Sequence, residues 1–111
     1  MDILFASKKL EKLCHDDNLA TRTLGASSAR KLHARLDDLI AAANLDYMRK
    51  LPGHFHALSK ERAGQFAIEV HGGCRLVLEP ADEPLPKRSD GTLNLSKVTT
   101  INVVYVGDYH D

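Results

Sequence analysis

The sequence has little with which to staple a fold covalently or through a metal. It holds two cysteines, Cys14 and Cys74, in 111 residues. Neither falls in a CxxC pair or a Cys/His zinc spacing, so both read as small buried hydrophobes. No apolar run approaches the ~20 residues that cross a bilayer, and no membrane partner is expected. The opening "MDILFASKKLEK" lacks the long apolar core of a secretory signal, so a cytoplasmic location is expected. A Gly-rich phosphate loop is missing, as is a GxSxG nucleophile elbow. No internal repeat or low-complexity tract appears. Net charge is also missing: 15 basic residues cancel 15 acidic ones. That argues against nucleic-acid binding through overall charge. The charges are unevenly spread, however. Through Lys60 there are ten basic and seven acidic residues, and afterwards five and eight, so a local basic face remains open.

What is present suits one globular domain over residues 1–111. The apolar fraction of 43% suffices for a core at this length. "ILFA" (Ile3 to Ala6) suits a short buried strand. Ser7 then caps a predicted helix over 7–16, where Leu10, Leu13 and Cys14 recur at helical spacing. "DDNLATRTLGASS" reads as a connection broken by Gly25, with Ser27 or Ser28 as the next cap. Leu32, Leu36, Leu39, Ile40 and Ala43 form one stripe of an amphipathic helix over 28–43. "LPG" (Leu51 to Gly53) ends the helical half.

The period then changes from 3.6 to 2. In "QFAIEVH", Phe66, Ile68 and Val70 alternate with Gln65, Ala67 and Glu69. "GG" at 72–73 makes a tight turn, and "CRLVLEP" resumes with Cys74, Leu76 and Leu78 opposite Arg75, Val77 and Glu79. This predicts a β-hairpin. Residues 80–97, with three of the four prolines, read as a long mobile loop. A last strand runs from Val98 to Val106. The sum is an α+β domain in the order β-α-α-β-β-β: an N-terminal strand and two helices packed on a small antiparallel sheet whose other face is free.

Three groups on or near that free face could carry chemistry. Arg75 has the parity of the open face. It either grips a phosphate or carboxylate in paired hydrogen bonds or pairs with a cross-strand Glu. "HFHALSKER" brings His54, His56, Lys60, Glu61 and Arg62 together. No third ligand completes a metal site there, so a phosphate site is the better reading. The closing Asp108, Tyr109 and His110 offer an acid, a phenol and an imidazole in a row. They are either a polar tail or a proton-transfer group, with Gly107 as a possible bulge. His33 lies on the polar side of the second helix and reads as solvated.

Taken together, "LPGHFHALSKERAGQFAIEVHGGCRLVLEP" and "INVVYVGDYH" resemble HigB-type killer-protein toxins of the RelE/ParE superfamily of type II toxin–antitoxin systems. The likeness rests on His-x-Leu before a Gly-x-Phe-x-Ile strand, an Arg early in the next strand and the closing Asp-Tyr-His. It covers roughly residues 50–80 and 98–110. The resemblance implies a RelE/ParE-like fold and an endoribonuclease that cuts messenger RNA at the ribosome with no metal and no cofactor. It implies that Arg75 stabilises the extra charge on phosphorus, with His56, Asp108, Tyr109 and His110 at the other active-site positions. Lys60 and Arg62 are expected on backbone phosphates. The implied partner is an antitoxin of the helix-turn-helix HigA type, through which alone operator DNA is reached. This sequence departs from the pattern in having Cys74 where a Trp often precedes the strand Arg, in the long 80–97 loop, and in its neutral charge. Two alternatives keep the fold: a ParE-type gyrase inhibitor, and a degenerate partner that only binds antitoxin and co-represses the operon.

Overall fold

A short apolar strand, β1 (Asp2–Phe5), opens the computed structural model, which describes residues 1–108. Ile3 and Phe5 pack against the main core, while Leu4 points outward and is 52% exposed. Ser7 caps α1 (Lys8–His15) by accepting from the Leu10 amide at 3.2 Å, satisfying an orphan donor as the sequence predicts.

The next segment differs from expectation. Residues read as a connection form a helix, α2 (Asp17–Leu24), so three helices precede the main sheet rather than two. The reason is a second cap: the Asp16 carboxylate accepts from the Leu19 amide at 3.0 Å. Gly25 (φ +91°) then ends α2 and takes the N-cap position of α3 (Ala26–Ala41) without any side-chain cap. Ser27 and Ser28 therefore lie inside the helix, and Ser28 is buried. Leu32, Leu36 and Leu39 carry the predicted stripe into the core, but Ile40 is 60% exposed and Ala43 lies past the helix end. His33 of α3 meets Asp17 of α2 at 2.7 Å across the helix pair. The Met1 amino group donates to the carbonyls of Leu39, Ile40 and Ala42, where the negative end of the α3 dipole favours a cation.

Among the described residues, five strands form one sheet in the order β1-β5-β4-β3-β2. β2 (His56–Ala57), β3 (Phe66–His71), β4 (Cys74–Pro80) and β5 (Thr100–Asp108) pair antiparallel, as expected. β1 instead runs parallel to β5. The helices that follow β1 provide the crossover that a parallel edge requires. The Gly72–Gly73 turn closes the β3–β4 hairpin. One face of the sheet buries Phe66, Ile68, Leu76, Leu78, Ile101 and Val103 against the helices. The other carries a much smaller cluster of Leu58, Ala67 and Val77, edged by Val104 and Tyr105.

The 80–97 segment is tied down at several points rather than loose. Asp82 accepts from the Thr99 amide and hydroxyl and from the Thr100 amide, at 2.9–3.2 Å. Lys87 and Leu93 form a bridge, and Leu95 is buried in the core. The prolines and polar residues hide these anchors in the sequence because each is a single side chain without a period.

Candidate functional site

Register decides which side chains share the open face. His56 of β2 pairs with Ala67, Ala67 with Val77, and Val77 with Tyr105. Paired residues project to the same side. These four make one cross-strand row. The adjacent row is Glu69, Arg75 and Gly107. His56 and Arg75, both singled out in the sequence, thus lie on one face. Arg62, from the short turn Lys60–Arg62, joins them with its guanidinium 5.1 Å from the centre of the Tyr105 ring.

Each group is held in a definite way. His56 Nδ1 lies 2.8 Å from the His54 carbonyl oxygen. A carbonyl only accepts, so Nδ1 carries the proton and Nε2 of the neutral ring is the atom able to take another. His54 itself adopts φ +50°, a left-handed backbone that a non-glycine residue seldom takes. Arg62 Nη1 donates to Gln65 Oε1 at 3.0 Å, which orients the guanidinium across Tyr105. Arg75 is half-buried and lies 3.9 Å from Glu69 Oε1. This is the cross-strand Glu foreseen from parity, but at that distance it is a loose ion pair. Lys60 is exposed at φ +55°, on the rim.

The end of β5 departs from the expected geometry. Val77 pairs with Tyr105 but Leu78 pairs with Val103, so Val104 is an extra residue. The bulge lies here and not at Gly107. It turns both Val104 and Tyr105 toward the small open-face cluster. Gly107, not Asp108, stands opposite Arg75, and Asp108 pairs with Cys74. A Cβ on Gly73 would meet Asp108 Oδ1 at 2.6 Å, so the carboxylate covers the hairpin turn, one step beyond the Arg75 row. Tyr109 and His110, the other two expected residues of this end, lie outside the described residues.

Tyr105 is the residue that sequence reasoning missed. Strict alternation from buried Val103 points it inward, and only the bulge turns it out. The signal present was an aromatic two residues before a glycine, which is weak without the register.

Other chemistries find less support. Burial pushes the Cys14 thiol up to about 11. Burial, and then the Asp108 charge, push the Cys74 thiol up as well. Both stay protonated at neutral pH, which disqualifies them as nucleophiles. Among the described residues no group of three or more His, Cys, Asp or Glu is arranged to hold a metal ion. No helix among them is long and apolar enough to cross a membrane. A groove of about 1010 Å³ lies at the other end of the sheet, between Leu4, Glu79, Asn102 and the 81–85 wall. It contains none of the candidate residues. A broad groove shows where volume is, whereas the charged and titratable candidate residues lie at the β2–β3–β4 end, which is therefore the candidate site.

No protein-family model and no curated protein matches the sequence. The fold does match solved structures. The chain is similar to the YoeB–YefM complex from Staphylococcus aureus, with a TM-score of 0.58 and 14% identity over 100% of this chain and 98% of that one. It is similar to the YoeB dimer from the same organism, at 0.56 and 16% over 100% and 98%. It is also similar to a YoeB/ParE toxin from Agrobacterium tumefaciens, at 0.53 and 16% over 99% and 100%. The chain therefore has the fold of the YoeB/ParE toxins, with at least 98% of both chains covered in each comparison.

Proposed function

We propose that the protein is the toxin of a type II toxin–antitoxin system and acts as an endoribonuclease on messenger RNA, at the ribosome. The observation that carries this reading is the convergence of Arg75, Arg62 and a tautomer-fixed His56 on the open sheet face of a toxin fold. An RNA strand laid across that face has its backbone phosphates within the reach of two guanidiniums, and Lys60 extends the basic rim.

The chemistry needs positioning, proton transfer and charge stabilisation. The 2′-hydroxyl attacks the adjacent phosphorus in line, the bond to the 5′-oxygen breaks, and a cyclic phosphate remains. In this reading His56 Nε2 accepts the hydroxyl proton. Arg75 neutralises the charge that gathers on the non-bridging oxygens as phosphorus becomes five-coordinate. The leaving oxygen takes a proton from the closing segment, through Tyr109 or His110, with Asp108 orienting them. The nucleophile is part of the substrate, so this route requires no metal-bound water. The reading includes an antitoxin partner of the helix-turn-helix HigA type, which is also the route to operator DNA. The YoeB–YefM likeness supports the existence of a protein partner.

Controlled expression of the wild-type chain, Arg75→Ala and His56→Gln, with mapping of transcript ends, tests the proposal. Growth arrest with new transcript ends, lost in both variants, is the expected result. Arrest without cuts points to the gyrase-directed alternative. No arrest from the wild type in the absence of its partner points to a chain that only binds antitoxin.

A further inference from the structure

Tyr105 has no part in the chemistry set out above, yet three independent features place it. The Val104 bulge turns it to the open face. Arg62 sits 5.1 Å above its ring centre and fixes the ring plane. Gly107 leaves room for its hydroxyl: a Cβ there would stand 2.8 Å from Tyr105 Oη, nearer than a carbon and an oxygen that are not hydrogen-bonded approach. The phenol therefore lies along β5, from its own row into the next. That next row is the one in which Gly107 pairs with Arg75. The polar tip of Tyr105 and the Arg75 guanidinium are thus delivered to the same row of the same face by two adjacent strands.

We propose that Tyr105 is a substrate-contacting residue whose hydroxyl donates a hydrogen bond to the RNA phosphate held by Arg75. The role rests on reading this face as an RNA site. A guanidinium and a phenol O–H from neighbouring strands give two convergent donors to one phosphate, which fixes its orientation as well as its position. Arg62 is the positioning residue for the ring. The competing explanation is that Tyr105 merely covers the small apolar patch of Ala67 and Val77. The two differ in one atom. Covering needs the ring, and contact needs the hydroxyl.

The experiment compares the full-length wild type with Tyr105→Phe. Binding is measured with a fluorescein-labelled RNA bearing 2′-O-methyl sugars, which cannot be cut because the nucleophile is blocked. Cleavage is measured on mapped transcripts in cells, and folding by thermal melting. We expect Tyr105→Phe to bind roughly tenfold more weakly, the loss of one hydrogen bond to a charged group, while thermal melting shows the variant still folded at the assay temperature. Gly107→Ala, which pushes the hydroxyl out of the Arg75 row, should weaken binding similarly. Should that variant misfold, Tyr105→Phe still decides. Wild-type binding and cleavage by Tyr105→Phe would overturn the role and leave the nuclease reading standing. Binding without cleavage by the wild type, still weakened in Tyr105→Phe, would uphold the phosphate contact and remove the nuclease reading. A wild type that neither binds nor cuts would overturn both.

Discussion

The two faces of the sheet are built on opposite principles. The helix-covered face carries Ile68, Leu76, Leu78, Ile101 and Val103, all fully buried. Across the same strands, the open face has, among the described residues, a small apolar floor of Leu58, Ala67 and Val77 edged by Val104, with His56, Glu69, Arg75 and Tyr105 around it. The first face holds the sheet to the helices. The second is stable enough because the first is, and so it can present charge without a full apolar cover. The difference teaches that stability and candidate chemistry are separable here, strand by strand, in adjacent residues. Leu76 and Arg75 are neighbours in β4 and serve opposite faces.

That separation can be broken experimentally. The largest effect on folding is expected from Leu76→Ala. It should cost about 2–5 kcal/mol by loss of transfer energy plus a cavity, read as a lower denaturant midpoint. Arg75→Ala should do the reverse. Transcript cleavage should fall roughly 10²–10³-fold, as when one transition-state donor is removed. The denaturant midpoint should move much less than in Leu76→Ala, because a half-buried side chain is removed from the open face and no cavity is left in the main core. If Arg75→Ala unfolds the protein instead, the two faces are not separable and the arginine is structural.

The first face was legible in the sequence and the second only in part. Period-2 alternation in "QFAIEVH" and "CRLVLEP" identifies the hairpin, its buried side and the open side of Arg75. The α+β class follows from the order of the periods. What stayed hidden depends on pairing between distant residues. β2 is a two-residue strand, visible only when His56 is set against Ala67. The Val104 bulge exists only relative to β4, and it alone brings Tyr105 out and puts Gly107 rather than Val106 opposite Arg75. The α2 helix was missed for a local reason: its Asp16 cap is embedded in a polar run that also suits a connection. Single-sequence periodicity carries the faces of long elements. It does not carry register, and the candidate site is a matter of register.

Gly53 tests the seam between the faces. A Cβ there would stand 2.5 Å from Ile68 Cγ2 and 3.2 Å from Arg35 Cδ, and φ is +112°. Its carbonyl accepts from the Glu69 amide. It joins the buried side to the segment that presents His54 and His56. Gly53→Ala should cost about 2 kcal/mol through backbone strain together with crowding. Unlike the two substitutions in β4, it should lower cleavage and stability together. A variant that loses stability yet cuts at the wild-type rate would show that His56 does not depend on this anchor.

The smallest effect is expected far from the site, at Asp82. Partial desolvation raises its carboxyl pKa, but hydrogen bonds from the Thr100 amide and from the Thr99 amide and hydroxyl outweigh that and hold it below the ordinary value. The sign follows from linkage: a carboxyl with a lowered folded pKa contributes stability above its unfolded pKa and loses it as pH falls through the folded one. The contribution is thus complete at neutral pH and disappears only in acid, below the ordinary carboxylate range. Much of Asp82 is in contact with water, so screening limits its contribution to about 1 kcal/mol or less. Asp82→Asn should lower the melting temperature slightly at pH 7 and match the wild type in strong acid. Cleavage should be unchanged at either stability, because Asp82 anchors only the wall at the far end of the open face. A loss of cleavage in this variant would extend the functional surface along the whole sheet and dissolve the division between its two ends.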